Sequence, residues 1–129
     1  MRVSLTALSL GLALVAGAAT AQPGPTVINV ELSEYKYAPM QIELTHGVAY
    51  VFHVTNVGTK AHDLSARDFF KTVAFAPGAA AKLDDGDIDL ERGDAVDVGL
   101  TPQTPGTYEM HCTHPFHAML GMKGQIVVR

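Results

Sequence analysis

Residues 104–128, TPGTYEMHCTHPFHAMLGMKGQIVV, decide how the rest of the chain is read. Two strand-like ends, GTYEMHC and GQIVV, flank a centre bent by proline and glycine. That centre, residues 111–122, holds three histidines, two methionines and the only cysteine of the chain. His117 follows Cys112 by five positions, and Met122 follows His117 by five more. Such spacing is too open for one face of a helix or strand. It suits a loop that folds over a single point and turns three side chains inward. A thiolate, an imidazole and a thioether form a soft set, which selects copper over hard cations.

A trigonal copper geometry needs one more imidazole in its plane, and it has to come from elsewhere in the chain. His62, in NVGTKAHDL, stands at the far end of a turn that follows a strand. Its neighbour Asp63 is placed to hydrogen-bond toward Thr113 and hold the two loops together. The other histidines read differently. His46 lies in a THG turn and His53 within a strand, so both are structural. His111 alternates with Cys112 and faces the other way. His114 is a supporting or surface imidazole. Met110 is assigned away from the site, and Met40 to the core.

Working outward, the chain reads as short strands broken by turns. VINVEL puts Ile28, Val30 and Leu32 on one face, and MQIEL does the same with Met40, Ile42 and Leu44. AYVFHVT alternates Tyr50, Phe52 and Val54 with Val51, His53 and Thr55. With AVDVGL, GTYEMHC and GQIVV they predict an all-β antiparallel sandwich or barrel. One stretch departs from the pattern: SARDFFKTVAF predicts a short helix capped by Ser65, with Phe69, Phe70 and Val73 inward. It opens an insert over residues 65–94 that ends in a solvated acidic loop. Asp85, Asp87 and Asp89 alternate there, but a calcium loop counted from Asp85 lacks its glycine and its closing glutamate, since Leu90 and Val96 stand in their places.

The first 21 residues, MRVSLTALSLGLALVAGAATA, run from a basic start through an apolar stretch to Ala-Thr-Ala. That is the layout of a secretory signal peptide, and the apolar run falls short of the ~20 residues that span a bilayer. Residues 22–129 are then one exported, periplasmic domain with no membrane span. Losing Arg2 with the leader leaves eight basic residues against thirteen acidic ones, so nucleic acid is excluded as a partner. A lone cysteine outside the cell is open to oxidation unless a metal, a second chain or a reaction occupies it.

Two stretches resemble the cupredoxins, the small blue copper proteins that include azurin, plastocyanin and rusticyanin. YKYAPMQIELTHGVAYVFHVTNVGTKAHD is similar to their N-terminal half and TPGTYEMHCTHPFHAMLGMKGQIVV to their copper loop. The resemblance implies a Greek-key β-sandwich, from which the short helix and insert over residues 65–94 depart. It implies one copper ion per chain, cycling between Cu(I) and Cu(II) and held by His62, Cys112, His117 and Met122. The activity implied is one-electron transfer between redox partners rather than catalysis. Those partners would dock on an apolar patch of Phe116, Ala118, Met119 and Leu120 around His117, and the carrier would be a monomer. Phe116 departs from the glycine that relatives often have before the ligand histidine.

Three other readings share some of these residues. A periplasmic copper carrier or chaperone would use the same ligands without redox turnover. A thiol enzyme would take Cys112 as nucleophile, His62 or His117 as base and Asn56 as orienter. It leaves the methionines and the glycine turn without a role. Zinc would accept the cysteine and two histidines but has little use for a thioether.

Overall fold

The computed structural model describes residues 13–129 of the chain. The expected leader falls largely outside the described residues, and residues 13–25 are exposed and without regular secondary structure. From Thr26 onward the chain forms ten strands: β1 (Thr26–Ser33), β2 (Lys36–Ala38), β3 (Gln41–Leu44), β4 (Tyr50–Asn56), β5 (His62–Ser65), β6 (Val73–Phe75), β7 (Asp87–Leu90), β8 (Ala95–Pro102), β9 (Gly106–His111) and β10 (Lys123–Val128). A single turn of helix, α1 (Arg67–Phe70), follows β5.

The strands form two five-stranded sheets, ordered β2-β1-β4-β8-β6 and β3-β10-β9-β5-β7, which make a β-sandwich. Pairing is mixed rather than purely antiparallel. β1 runs parallel to β4, and β3 runs parallel to β10. The period-2 pattern sets the inner faces. Val30, Leu32, Phe52, Val54, Val98 and Leu100 point inward from the first sheet, and Ile42, Leu64, Ile88, Met110 and Ile126 from the second. Side chains of this kind, fully buried, each contribute about 1.5–3 kcal/mol relative to exposure. Tyr37 of β2 crosses between the sheets, and its hydroxyl donates to the Asp63 carbonyl at 2.8 Å.

The insert differs from the expectation in three respects. The helix has only four residues, because the Thr72–Val73 step turns the chain into β6, which pairs with β8. Ser65 lies in β5, and the residue at the helix start is Ala66, with no side-chain cap. Phe69 nonetheless plugs the sandwich, stacked on Phe52 at 6.0 Å and edge-on to Tyr108 at 5.6 Å. The acidic stretch is not all solvated loop. Residues 87–90 form β7, which pairs with β5 and buries Ile88 and Leu90. Asp charges had masked a strand whose alternate residues are apolar.

Asp87 is buried within this insert because Arg67 grips it with two hydrogen bonds, Nε to Oδ1 at 3.1 Å and Nη2 to Oδ2 at 2.7 Å. Burial pushes the Asp87 carboxyl up, but the hydrogen bonds from Arg67 and Ser65 outweigh it and hold the group below its ordinary 3.8. A carboxyl depressed in the folded state stabilises the fold above its unfolded value, and that contribution is lost as pH falls through the folded value. Arg67→Ala is therefore expected to destabilise the domain at neutral pH, because it leaves the buried Asp87 carboxylate without its main donors. The gap to the parent should narrow progressively below the ordinary carboxyl value of 3.8. Urea unfolding of both proteins across that range checks it, and a constant gap would contradict it.

Candidate metal centre

β1, β4 and β9 end, and β5 and β10 begin, at one end of the sandwich, so the turns that join them converge there. His62 is the first residue of β5 and is fully buried. Cys112 follows the last residue of β9 and is 1 % exposed. His117 sits at the middle of the loop between β9 and β10. Its ring contacts the other two: His62 Nδ1 is 3.2 Å from His117 Nδ1, and Cys112 Sγ is 3.4 Å from the same nitrogen. The ligand atoms of all three residues lie within 4.8 Å of one another.

The local backbone shows how one short loop achieves this. The Met122 amide donates to the His117 carbonyl at 3.1 Å, and the Cys112 amide donates to the Met122 carbonyl at 3.1 Å. Those two bonds close the loop across its base, so Cys112 and Met122 face each other at its neck. Phe116 has φ of +66°, in the left-handed region where glycine is the usual occupant. The departure noted in the sequence thus falls on a position whose backbone suits glycine. Met122 is fully buried, whereas Met119 is 80 % exposed.

Asp63 ties this loop to β5 as expected. The Thr113 amide donates to Asp63 Oδ1 at 2.8 Å, and the Thr113 hydroxyl donates to Oδ2. Asn56, the orienter of the thiol-enzyme reading, is spent otherwise. Its side-chain amide donates to the carbonyls of Lys60 and Leu90, and its oxygen accepts from the Gly58 amide. It shapes the turn before His62.

The electrostatics favour neutral imidazole at His117: burial lowers its basicity, and the positive charges that His62, His114 and Lys60 can carry lower it further. Burial pushes the Cys112 thiol up, while backbone hydrogen bonds from Asp63 and His114 pull it down. An unmetallated thiolate is therefore disfavoured here, and a cation close by is what would stabilise it. Metal bonds of about 2.0 Å to nitrogen and 2.3 Å to sulfur set donors of one ion roughly 3–4 Å apart. The spacing observed fits that. Two imidazoles and a sulfur, buried with a thioether-bearing neighbour, are a donor set that suits copper.

The chain matches the model of the cupredoxin-like domain over residues 5–128. It belongs to the cupredoxin-like family. No curated protein matches it. Among solved structures, this cupredoxin-like chain is similar to the dithionite-reduced auracyanin of Roseiflexus castenholzii, at 20 % identity and TM-score 0.59, over 82 % of this chain and 99 % of that one. Auracyanin A, a "blue" copper protein of Chloroflexus aurantiacus, gives the same identity and TM-score, over 82 % and 100 %. A multicopper oxidase from Campylobacter jejuni aligns at 12 % identity and TM-score 0.63, over 95 % of this chain but 34 % of its own. At such identities the likeness is one of fold.

The remaining histidines take the places expected of them, with detail that sequence lacks. His53 pairs with Asp97 at 2.6 Å, and His46 Nδ1 meets the Arg129 carbonyl at 3.0 Å. His114 stacks on His117 with ring centroids 5.6 Å apart, and its Nε2 is 3.0 Å from Asp89. Both methionine assignments outside the loop need correction. Met40 is 62 % exposed, because it precedes β3 rather than lying in it. Met110 is fully buried and shares the inner face with Cys112, since residues two apart on a strand point the same way. Sequence reasoning also missed Tyr35 and Glu34. Tyr35 lies edge-on to His117 with centroids 4.9 Å apart, and Glu34 touches His62.

Proposed function

We propose that residues 22–129 form an exported, periplasmic one-electron carrier that holds a single copper ion through His62, Cys112, His117 and Met122. The observation that carries this reading is the cluster of His62, Cys112 and His117 ligand atoms within 4.8 Å, buried at the end of a cupredoxin-like sandwich. Copper, when bound, supplies the Cu(II)/Cu(I) couple. The protein's residues supply the rest. Cys112 contributes the anionic donor, and the two imidazoles contribute neutral ones. Met122 would supply the thioether donor, because it is buried at the neck of the loop, where Met119 is not. The Asp63–Thr113 bonds and the closed loop would hold these side chains in one arrangement, which would keep the reorganisation on electron transfer small.

His117 is the route outward in this reading. It is 9 % exposed, and its loop neighbours Phe116, Met119 and Leu120 are 71 %, 80 % and 58 % exposed. An apolar rim of this size supports brief docking of a redox partner, since weak electron-transfer encounters use small interfaces. The carrier acts as a monomer. No helix among the described residues is long and apolar enough to cross a membrane.

Copper titration with an absorption spectrum and a redox titration tests the proposal. One equivalent of Cu(II) should produce an intense thiolate charge-transfer band that bleaches reversibly on one-electron reduction. Met122→Leu should keep the band and raise the potential, while Met119→Leu should leave both alone. Binding of copper with no such band would instead favour a copper carrier without redox turnover.

A further inference from the structure

Glu34 stands in the turn between β1 and β2, twenty-eight positions before His62. Its Oε1 nevertheless lies 3.1 Å from His62 Nε2, the ring nitrogen that faces away from Cys112 and His117. The same oxygen accepts the Thr59 amide at 2.7 Å, the Lys60 amide at 2.8 Å and the Thr59 hydroxyl at 3.2 Å. Four donors therefore converge on one carboxylate oxygen, and three of them belong to the turn that delivers His62. The carboxylate is fixed in place before any metal arrives.

Gly58 makes room for it. A Cβ there would stand 2.7 Å from Glu34 Oε1 and 3.0 Å from His62 Nε2. Only glycine allows the turn, the carboxylate and the imidazole to approach so closely.

A neutral imidazole has one nitrogen that donates and one that accepts. A carboxylate only accepts, so His62 donates its Nε2–H to Glu34 and leaves the Nδ1 lone pair aimed toward His117. A carboxylate on the outer nitrogen of a ligating histidine fixes its tautomer and raises its basicity. A negative charge at that distance also favours the more positive oxidation state of whatever the ring binds.

We propose that Glu34 is a positioning residue of the metal centre: its carboxylate holds His62 in the Nε2–H tautomer and lowers the reduction potential of the bound copper. This rests on the copper reading above. Replacing Glu34 should weaken Cu(II) binding about tenfold more than Cu(I) binding, which for a one-electron couple is a rise of about 59 mV.

Two variants and one metal-free measurement test it. Glu34→Gln keeps an acceptor oxygen but removes the charge, and Glu34→Ala removes both. Nitrogen-15 NMR of the metal-free parent should report His62 as the Nε2–H tautomer. The glutamine variant should keep that tautomer, and the alanine variant should populate both. The potential should rise in each. A parent His62 protonated at Nδ1 overturns the proposal, and so does a glutamine variant whose potential equals the parent's. Should the parent fail to take up copper, the copper reading falls, while the ring-nitrogen result still judges the Glu34–His62 contact by itself.

Discussion

Cys112→Ser is expected to abolish the visible copper band completely while leaving the metal-free domain folded. The band requires charge transfer from a thiolate, and a hydroxyl at the same position has no equivalent orbital at accessible energy. Cys112 is the chain's single cysteine, so no second thiol can substitute. The fold should tolerate the change. Serine differs little in size, and burying a hydroxyl costs about 1–3 kcal/mol only where it lacks a partner. Here the backbone groups of Asp63 and His114 and the ring of His117 surround the position. Absorption spectra after copper addition, paired with thermal melts of both metal-free proteins, decide it. A serine variant that keeps full colour would refute the copper reading outright. A variant that melts at the parent temperature and stays colourless would isolate the effect to the donor atom.

The second large effect falls on Asp63→Ala. The carboxylate is buried and accepts both the amide and the hydroxyl of Thr113, fifty positions away. It is the tie between the strand that carries His62 and the loop carrying the other donors. Hydrogen bonds to a charged group are each worth about 1.5–3 kcal/mol. Thr113 is itself exposed, so water recovers part of the loss. A net destabilisation of about 2–3 kcal/mol is expected, with a broadened copper band because the loop no longer has one position. Asp63→Asn retains one acceptor oxygen and should lose about half as much. Urea unfolding of the metal-free proteins gives the first number, and band width gives the second. If alanine proves as stable as the parent, the tie has no structural weight.

Much of the fold was legible in strand periodicity. Ile28, Val30 and Leu32 and then Tyr50, Phe52 and Val54 alternate cleanly, and they turn out to line one inner face. Where the pattern was misread, a physical reason stands behind each error. Met40 fitted the alternation of MQIEL, but the residue before a strand is free to turn outward. The 65–94 insert mixes buried Ile88 and Leu90 with Asp87 and Asp89, so its strand looked like a charged loop. Asp87 is buried only because Arg67 neutralises it, and such a partner twenty residues away leaves no local signature.

The candidate metal centre divides in the same way. Residue chemistry and spacing along one loop, C-x4-H-x4-M around a proline and a glycine, pointed to Cys112, His117 and Met122, and the ligand atoms of Cys112 and His117 do meet that of His62 within 4.8 Å. The same chemistry also made His62 the leading source of a second imidazole. What the chain could not disclose by itself is which groups stand behind those donors. Glu34 and Tyr35 come from a turn between β1 and β2 and reach the site only because β1 pairs in parallel with β4, whose following turn carries Gly58 to His62. Local sequence determines which side chains a loop can present. The register of strands distant in sequence decides which charges and rings meet them, since that register follows from burying both sheets at once.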